Sequence, residues 1–244
     1  MGHFRKQMIT LLTSAVCNLN CEYCYVPKMH NICDKHKKIN VDFAKLAIKD
    51  YFNQTGNYYI RFFGAGEPTV AFDEMKDIYE YASKISNTSL KAELQTNGYF
   101  DEDIARWINE NIDILWVSFD GLPELHDKQR PSHGEEKSSL KIIDNIKYFL
   151  KNKNIQVGVR VTITNENFSK QAEIIEYLHS LGVKFVCGAP CYTSTANKTT
   201  KTPKILDFCK HFVKAYHRAQ ELGMFYQTHL MLNFDEKVDA YCRA

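Results

Sequence analysis

Three cysteines near the start of the chain, Cys17, Cys21 and Cys24, lie in the string CNLNCEYC. Thiolates at this spacing can bind three irons of a [4Fe–4S] cluster, which usually takes four cysteines. A set of three leaves one iron with an open coordination position, which a metal site needs in order to bind and act on a small molecule. The spacing therefore favours a catalytic cluster over an electron-transfer cluster.

A zinc site or a redox dithiol is the alternative interpretation of these cysteines. Zinc would need a fourth ligand, and His30, Cys33 and His36 follow shortly in KMHNICDKH. The spacing alone leaves zinc open, with the iron–sulfur cluster favoured. We expect the downstream histidines and Cys33 to form a polar loop without a second metal site.

The composition is that of an ordinary soluble domain, with 244 residues, 44% hydrophobic and 25% charged. A net charge of +2 gives no electrostatic argument for nucleic acid or a membrane, and no apolar run reaches the roughly 18 residues of a membrane span. The short apolar run before Cys17 resembles a strand more than a signal peptide. We therefore expect a cytoplasmic protein that binds neither nucleic acid nor membrane, and whose eight cysteines are metal ligands and buried thiols.

Short β-rich runs alternate with longer helical runs along the chain. This alternation predicts parallel βαβ units in an α/β fold, a partial (β/α)6 TIM-like barrel with the cysteine loop directly after the first strand. Asp73 and Asp101 are expected to cap helices at their start, and Gly182 at an end. Strands are predicted over 7–14, 58–63, 89–96, 113–119, 155–163 and 183–188, and helices over 41–54, 72–86, 101–110, 135–152, 168–181 and 203–222.

In such a barrel, reactive residues gather at the carboxyl ends of the strands and in the loops that follow. Side-chain alternation along IQVGVRVTI predicts that Arg160 and Thr162 point into the barrel. It also places Trp116, Ser118 and Asp120 on one face, and Gln95 on the face opposite Leu94 and Thr96. Several polar rows near strand ends favour a ligand site over a buried hydrogen-bond network.

Four short motifs follow the strands: GAGEPT (Gly64–Thr69), QTNGY (Gln95–Tyr99), SFDG (Ser118–Gly121) and HDKQRP (His126–Pro131). Glycines let the backbone approach a ligand, Glu67 could accept from an ammonium, and Arg130 could hold a carboxylate by two parallel hydrogen bonds. Each motif alone is more often a simple turn or a surface arginine. Their order along the chain favours a shared site.

These strings resemble the radical S-adenosylmethionine (SAM) superfamily, and within it the SPASM-type branch of peptide- and protein-modifying enzymes, which includes anaerobic sulfatase-maturing enzymes and ribosomal-peptide maturases. The resemblance rests on CNLNCEYC, FFGAGEPT, LQTNGY, VSFDGLPELHDKQRP and VRVTIT, in the family's order over roughly residues 7–190. It implies a [4Fe–4S] cluster on Cys17, Cys21 and Cys24, with SAM at the open iron. It also implies a flavodoxin or ferredoxin reductant, and a 5′-deoxyadenosyl radical that abstracts hydrogen from a peptide or protein substrate.

The resemblance implies further roles around SAM. Tyr23 would lie near the adenine, and either Arg130 or Arg160 would bind the carboxylate. The remaining contacts would come from Gly64, Ala65, Gly66 and Glu67 at the amino group, and from Thr96, Asn97, Ser118 and Asp120 near the ribose and carboxylate.

Two departures from the family pattern stand out. Ala65 replaces the first glycine of the usual Gly-Gly-Glu-Pro, and we expect SAM binding to survive this change. The barrel is expected over 1–225, with 226–244 as the start of a truncated or absent auxiliary region in which Cys242 would be the first cysteine. Cys187 and Cys191 are expected to be buried or near-site thiols, and Cys209 to lie in the core.

Other functions stay open on the sequence alone. A formylglycine-generating sulfatase maturase is one, although FYQTHLML (Phe225–Leu232) lacks the carboxylate that such enzymes use near the end of the barrel. Small-molecule or RNA chemistry on the same barrel is another, and the near-neutral charge mildly disfavours RNA. A non-catalytic iron–sulfur or zinc protein is the remote alternative.

Overall fold

A computed structural model of the chain describes residues 8–24, 26, 37–86, 90–134, 136–152, 154–192 and 202–228. Within these residues, seven parallel strands form one sheet whose spatial order follows the chain from β1 to β7. The first and last strands are not paired with each other, so the described sheet is an open, partial barrel. The strands are β1 (Ile9–Leu12), β2 (Tyr59–Phe63), β3 (Lys91–Thr96), β4 (Ile114–Ser118), β5 (Gln156–Ile163), β6 (Phe185–Pro190) and β7 (Phe225–Gln227).

Helices connect the strands. The first begins after Asn40, whose Oδ1 accepts from the N–H of Phe43 at 2.9 Å, and ends at Gly56 with a φ of 62°. Gly182 ends a helix as predicted, with a φ of 94° and an N–H that donates to His179. The helices are α1 (Val41–Thr55), α2 (Phe72–Ile85), α3 (Glu102–Asn111), α4 (Pro123–Gln129), α5 (Ser139–Leu150), α6 (Gln171–Ser180) and α7 (Ile205–Glu221).

Side-chain alternation along the strands separates the core from the barrel interior. On β5, Val157, Val159 and Val161 are buried in the core cluster, while Arg160 and Thr162 are half-buried on the opposite face. This confirms the orientation predicted for β5. Full burial of such an apolar side chain is worth about 1.5–3 kcal/mol, which accounts for the register of the sheet.

The structure corrects several details of the prediction. The sheet has a seventh strand, β7, and the additional helix α4 precedes α5. Asp101 precedes α3 without a side-chain cap, and Asp73 lies inside the first turn of α2. Cys209 is exposed on α7 rather than buried in the core.

The structure also bears on the predicted domain boundary and on the residues predicted near the two ends of the chain. The strand β7 runs across the domain boundary that the sequence placed at residue 225. The predicted loop around His30, Cys33 and His36, and the predicted role of Cys242, lie outside the described residues. None of the described helices is long and apolar enough to cross a membrane.

Candidate functional site

A cavity of about 590 Å³ lies at the carboxyl ends of β1 to β4. Asp120 and Arg160 do not line this cavity. Lys37 and His133 line it, although the sequence motifs did not indicate either residue. The other twelve residues predicted for the site all line it: Cys17, Cys21, Tyr23, Cys24, Gly64, Ala65, Gly66, Glu67, Thr96, Asn97, Ser118 and Arg130.

The glycine loop after β2 packs directly against the start of the cysteine loop. The N–H groups of Gly66 and Glu67 donate to the carbonyls of Ser14 and Val16, both at 2.8 Å. A Cβ atom on Gly66 would lie 2.1 Å from the Val16 carbonyl oxygen. Glycine is therefore needed here for contact between two backbone segments.

The segment 129–133, which follows α4, supports the cysteine loop from its other side. The N–H of Asn20 donates to the Pro131 carbonyl at 2.8 Å, and His133 Nε2 donates to the Cys17 carbonyl at 2.9 Å. The imidazole must carry its proton on Nε2, because a carbonyl can only accept. The cysteine loop is thus held between two loops that are far apart in sequence.

The three thiols are half-buried at the cavity wall. Burial raises the pKa of each thiol, to about 12 for Cys21, and the nearby Arg130 charge opposes this rise. Cys17 Sγ also accepts two N–H groups, from the backbone of Leu19 at 3.5 Å and from Asn97 Nδ2 at 3.7 Å. Metal binding would have to displace the thiol protons.

The described residues contain no group of three or more His, Cys, Asp or Glu side chains placed to hold one metal ion. A zinc ion needs its ligands about 2.3 Å from a single point. In a four-iron cluster each thiolate binds a separate iron, so its ligands do not converge in this way.

Glu67 braces the glycine loop against the end of β3. Its carboxylate accepts from Thr96 Oγ1 and the Asn97 N–H, each at 2.6 Å, and from the N–H and hydroxyl of Thr69 at 3.1 and 2.8 Å. Burial raises the pKa of Glu67 and these hydrogen bonds oppose the rise. Both oxygens are engaged within the protein, so the predicted contact with an ammonium stays a prediction.

Tyr23 is clamped by two charged residues. Its hydroxyl donates to Asp120 Oδ2 at 2.6 Å and accepts from Arg130 Nη1 at 2.5 Å. Asp120 is fully buried behind Tyr23, and its other oxygen accepts from the Thr162 N–H at 3.0 Å. Burial raises the pKa of Asp120, and the Arg130 charge counteracts this effect. Asp120 thus positions Tyr23 and β5.

The two candidate arginines occupy different places. Arg130 lines the cavity, is 7% exposed, and has a buried Nε without a hydrogen-bond partner among the described residues. Burial opposes its charge, yet nearby Cys21, Tyr23 and Asp120 raise the pKa of Arg130. Arg160 faces the barrel interior, where its Nη1 donates to Gln95 Oε1 at 2.9 Å.

His126, the first residue of the HDKQRP motif, is a supporting residue whose role the motif alone does not predict. The ring is fully buried and its Nδ1 accepts from the Asp120 N–H at 3.1 Å. Its Nε2 lies 3.1 Å from Ser138 Oγ, which donates to the Arg130 carbonyl at 2.7 Å. Burial lowers the pKa of His126 well below its usual range, and the Arg130 charge lowers this pKa further. A neutral imidazole therefore links the backbones of Asp120 and Arg130.

Comparisons with known proteins identify the class. The family described as the radical SAM superfamily matches residues 11–178. An uncharacterized protein of Methanocaldococcus jannaschii is 33% identical over 208 residues, which are 84% of this chain and 69% of that protein. The chain therefore belongs to the radical SAM superfamily, whose members are enzymes that use a [4Fe–4S] cluster and SAM. This confirms the predicted cofactors.

Other relatives and solved structures carry descriptive names. A cysteine-type anaerobic sulfatase-maturating enzyme of Clostridium novyi is 28% identical over 194 residues, covering 75% of this chain and 50% of that protein. Native anSMEcpe with bound AdoMet and Cp18Cys peptide has a TM-score of 0.76 at 22% identity, over 91% of this chain and 63% of that chain. Streptococcus suis SuiB bound to precursor peptide SuiA has a TM-score of 0.68 at 14% identity, over 91% and 48%. These structures confirm the partial-barrel fold, and the chain spans about half the length of the sulfatase-maturating relative.

Proposed function

We propose that the chain cleaves SAM reductively and abstracts hydrogen from a peptide or protein substrate. The observation that carries this proposal is the cavity in which three thiols lie beside a cation whose Nε lacks a hydrogen-bond partner among the described residues. Peptides appear in the names of the anSMEcpe and SuiB structures, which supports a peptide substrate here.

The residues of the cavity fit the two cofactors. Cys17, Cys21 and Cys24 would bind three irons, which leaves one iron open for SAM. The unpartnered Nε of Arg130 fits an anionic group, and we assign the SAM carboxylate to Arg130 rather than Arg160. Thr96, Asn97 and Ser118 line the same cavity and would meet the ribose.

When bound, the cluster and SAM would supply the one-electron chemistry and the carbon radical that the proposed hydrogen abstraction needs. The chain's own residues position and enclose these groups. Asp120 and Arg130 fix the Tyr23 ring at the cavity wall, where it would lie against the adenine. The single electron would come from a flavodoxin or ferredoxin.

Anaerobic reconstitution with iron and sulfide, followed by dithionite and SAM, tests the proposal. We expect 5′-deoxyadenosine and methionine from the wild type and none from Cys17→Ala. Cys209→Ala is the matched control, because Cys209 is an exposed thiol outside the cavity. A reconstituted protein that forms no 5′-deoxyadenosine, with Cys17→Ala and Cys209→Ala indistinguishable, would show that the proposal is wrong.

Formylglycine formation is a second candidate, supported by four sulfatase-maturating relatives at 23–28% identity. Mass spectrometry of a cysteine-containing peptide and a serine-containing peptide, each incubated with SAM and dithionite, separates the two possibilities. An aldehyde on either peptide supports the second candidate. SAM cleavage without an aldehyde favours another peptide modification.

A further inference from the structure

The turn that joins β3 to α3 rests on one face of helix α5. A Cβ atom on Gly98, which has a φ of 77°, would lie 3.2 Å from Ile142 Cγ2. The rings of Phe100 and Phe149 meet edge to face, with their centroids 6.2 Å apart. Ile142, Asn145 and Phe149 share this face because they are three and then four residues apart on the helix. Asn145 is the polar member of the face and is only 9% exposed.

The amide of Asn145 holds the backbone of the turn. Its Nδ2 donates to the carbonyls of Gly98 and Phe100, at 2.9 and 3.0 Å. Both hydrogens of the amide nitrogen are therefore used. The Tyr99 carbonyl between them accepts from Asn18 Nδ2 at 2.7 Å. Three successive carbonyls are thus held by two amides, one on α5 and the other in the cysteine loop.

The same turn carries an N–H donor to the first thiol. Asn97 Nδ2 donates to Cys17 Sγ at 3.7 Å and to Asn18 Oδ1 at 2.7 Å. Asn97 Oδ1 accepts from the Tyr99 N–H at 2.8 Å, so the turn itself fixes the plane of this amide. Hydrogen bonds to the sulfurs are among the features that set the potential of an iron–sulfur cluster. The conformation of the turn therefore bears on the potential.

We propose that Asn145 is a positioning residue for the cluster. By holding the Gly98 and Phe100 carbonyls, it keeps the turn in the conformation in which Asn97 donates to Cys17 Sγ. Asn145 does not line the cavity, so it acts through Asn97 and not by touching the cluster. A buried amide in an apolar helix face is costly unless its hydrogen bonds are made, and here both donors are spent on this turn. The inference rests on the cluster ligation by Cys17 that the proposed function assumes.

An EPR-monitored redox titration of the reconstituted cluster, without SAM, tests this role. Asn145→Leu removes both donors and keeps the size and branching of the side chain. We expect a more negative midpoint potential, shifted by no more than the shift in Asn97→Ala. The double variant Asn97→Ala/Asn145→Leu should have the potential of Asn97→Ala alone, because the donor through which Asn145 acts is gone. An asparagine with a purely structural role would lower Tm without moving the potential.

Asn111→Leu is the matched control. Asn111 Nδ2 also donates to a backbone carbonyl, that of Trp107 at 2.8 Å, but it lies at the other end of α3 and outside the cavity. This variant should keep the wild-type potential. Asn145→Ser is the milder variant if thermal melting shows that Asn145→Leu does not fold. A hydroxyl has one hydrogen to donate, so at least one of the two bonds is lost and the shift should have the same sign.

Three results would each overturn the proposal: an unchanged potential in a folded Asn145 variant, a positive shift, or a double variant more negative than Asn97→Ala. Formation of 5′-deoxyadenosine by the wild type tests the proposed function separately, because the potential is measured without SAM.

Discussion

At the contact between Gly66 and the Val16 carbonyl, one added methyl group should strongly destabilise the candidate site. In Gly66→Ala the new Cβ would lie 2.1 Å from the Val16 oxygen and 2.5 Å from its carbonyl carbon. Both are backbone atoms, so no side-chain rotation can relieve the contact. Ordinary van der Waals contact begins at 3.4 Å, so the two segments would have to separate by about 1.3 Å.

A separation of that size would break the two 2.8 Å hydrogen bonds that join the segments. Their loss costs about 1–3 kcal/mol, and the remaining overpacking costs about 1–3 kcal/mol. Together the free energy of unfolding should fall by about 2–6 kcal/mol, which lowers Tm by roughly 4–24 °C for a chain of this size. Val16 directly precedes Cys17, so the first cluster ligand would move as well.

Thermal melting and 5′-deoxyadenosine formation after reconstitution measure the two consequences. A displacement near 1 Å at a ligand should reduce the rate about 100-fold. Gly134→Ala makes the same chemical change in the loop beside His133, where the nearest atoms lie 3.9 Å from the new Cβ. If Gly66→Ala matched Gly134→Ala in Tm and in rate, the argument from backbone contact would be refuted.

Three further predictions concern the residues around the thiols. Arg130→Gln should weaken SAM binding in equilibrium dialysis about ten- to hundredfold, and unchanged affinity would contradict the carboxylate assignment. Asn97→Ala removes an N–H that donates to Cys17 Sγ, so the cluster potential should become more negative in an EPR-monitored titration, and a positive shift would count against this role. Burial holds the pKa of His126 well below its usual value of about 6.5, so the folded protein keeps this ring neutral where the unfolded chain would protonate it. The free energy of unfolding should therefore fall as the pH drops below about 6.5, by up to about 1.4 kcal/mol per pH unit. His126→Gln should flatten this dependence in urea denaturation between pH 5 and 7, and an equally steep dependence would show that another group titrates.

Much of the fold was predictable because long apolar alternation leaves little choice of orientation. On β4, the buried Leu115 and Val117 alternate with Trp116 and Ser118, so the core face could be read directly. The strand β7 escaped prediction for a physical reason. It has three residues, and Phe225 and Gln227 flank a single buried Tyr226, which is too short to show a period.

The sequence predicted which residues gather at the site. It predicted less well which partners their side chains contact. Glu67 and Asp120 follow strands as a ligand-binding residue would, and Arg160 lies within β5. In the fold, Glu67 and Asp120 are buried and accept hydrogen bonds from distant segments, whereas Arg160 points into the barrel as the alternation along β5 predicted. Those partners, such as the Asn97 N–H and the Thr162 N–H, depend on how loops meet in space, which local sequence does not encode.

The distribution of charge around the thiols explains why buried acids and a buried arginine occur together here. A cavity that carries thiolates at the cluster already holds negative charge, and a free carboxylate there would raise the cost of ionising each thiol. Asp120, although bound to Tyr23 and the Thr162 N–H, still raises the pKa of Cys21, and the charge of Arg130 beside it opposes the rise that burial causes in the pKa of all three cysteines. Because Arg130 also keeps an unpartnered Nε, the same cation can favour cluster ligation and bind the SAM carboxylate.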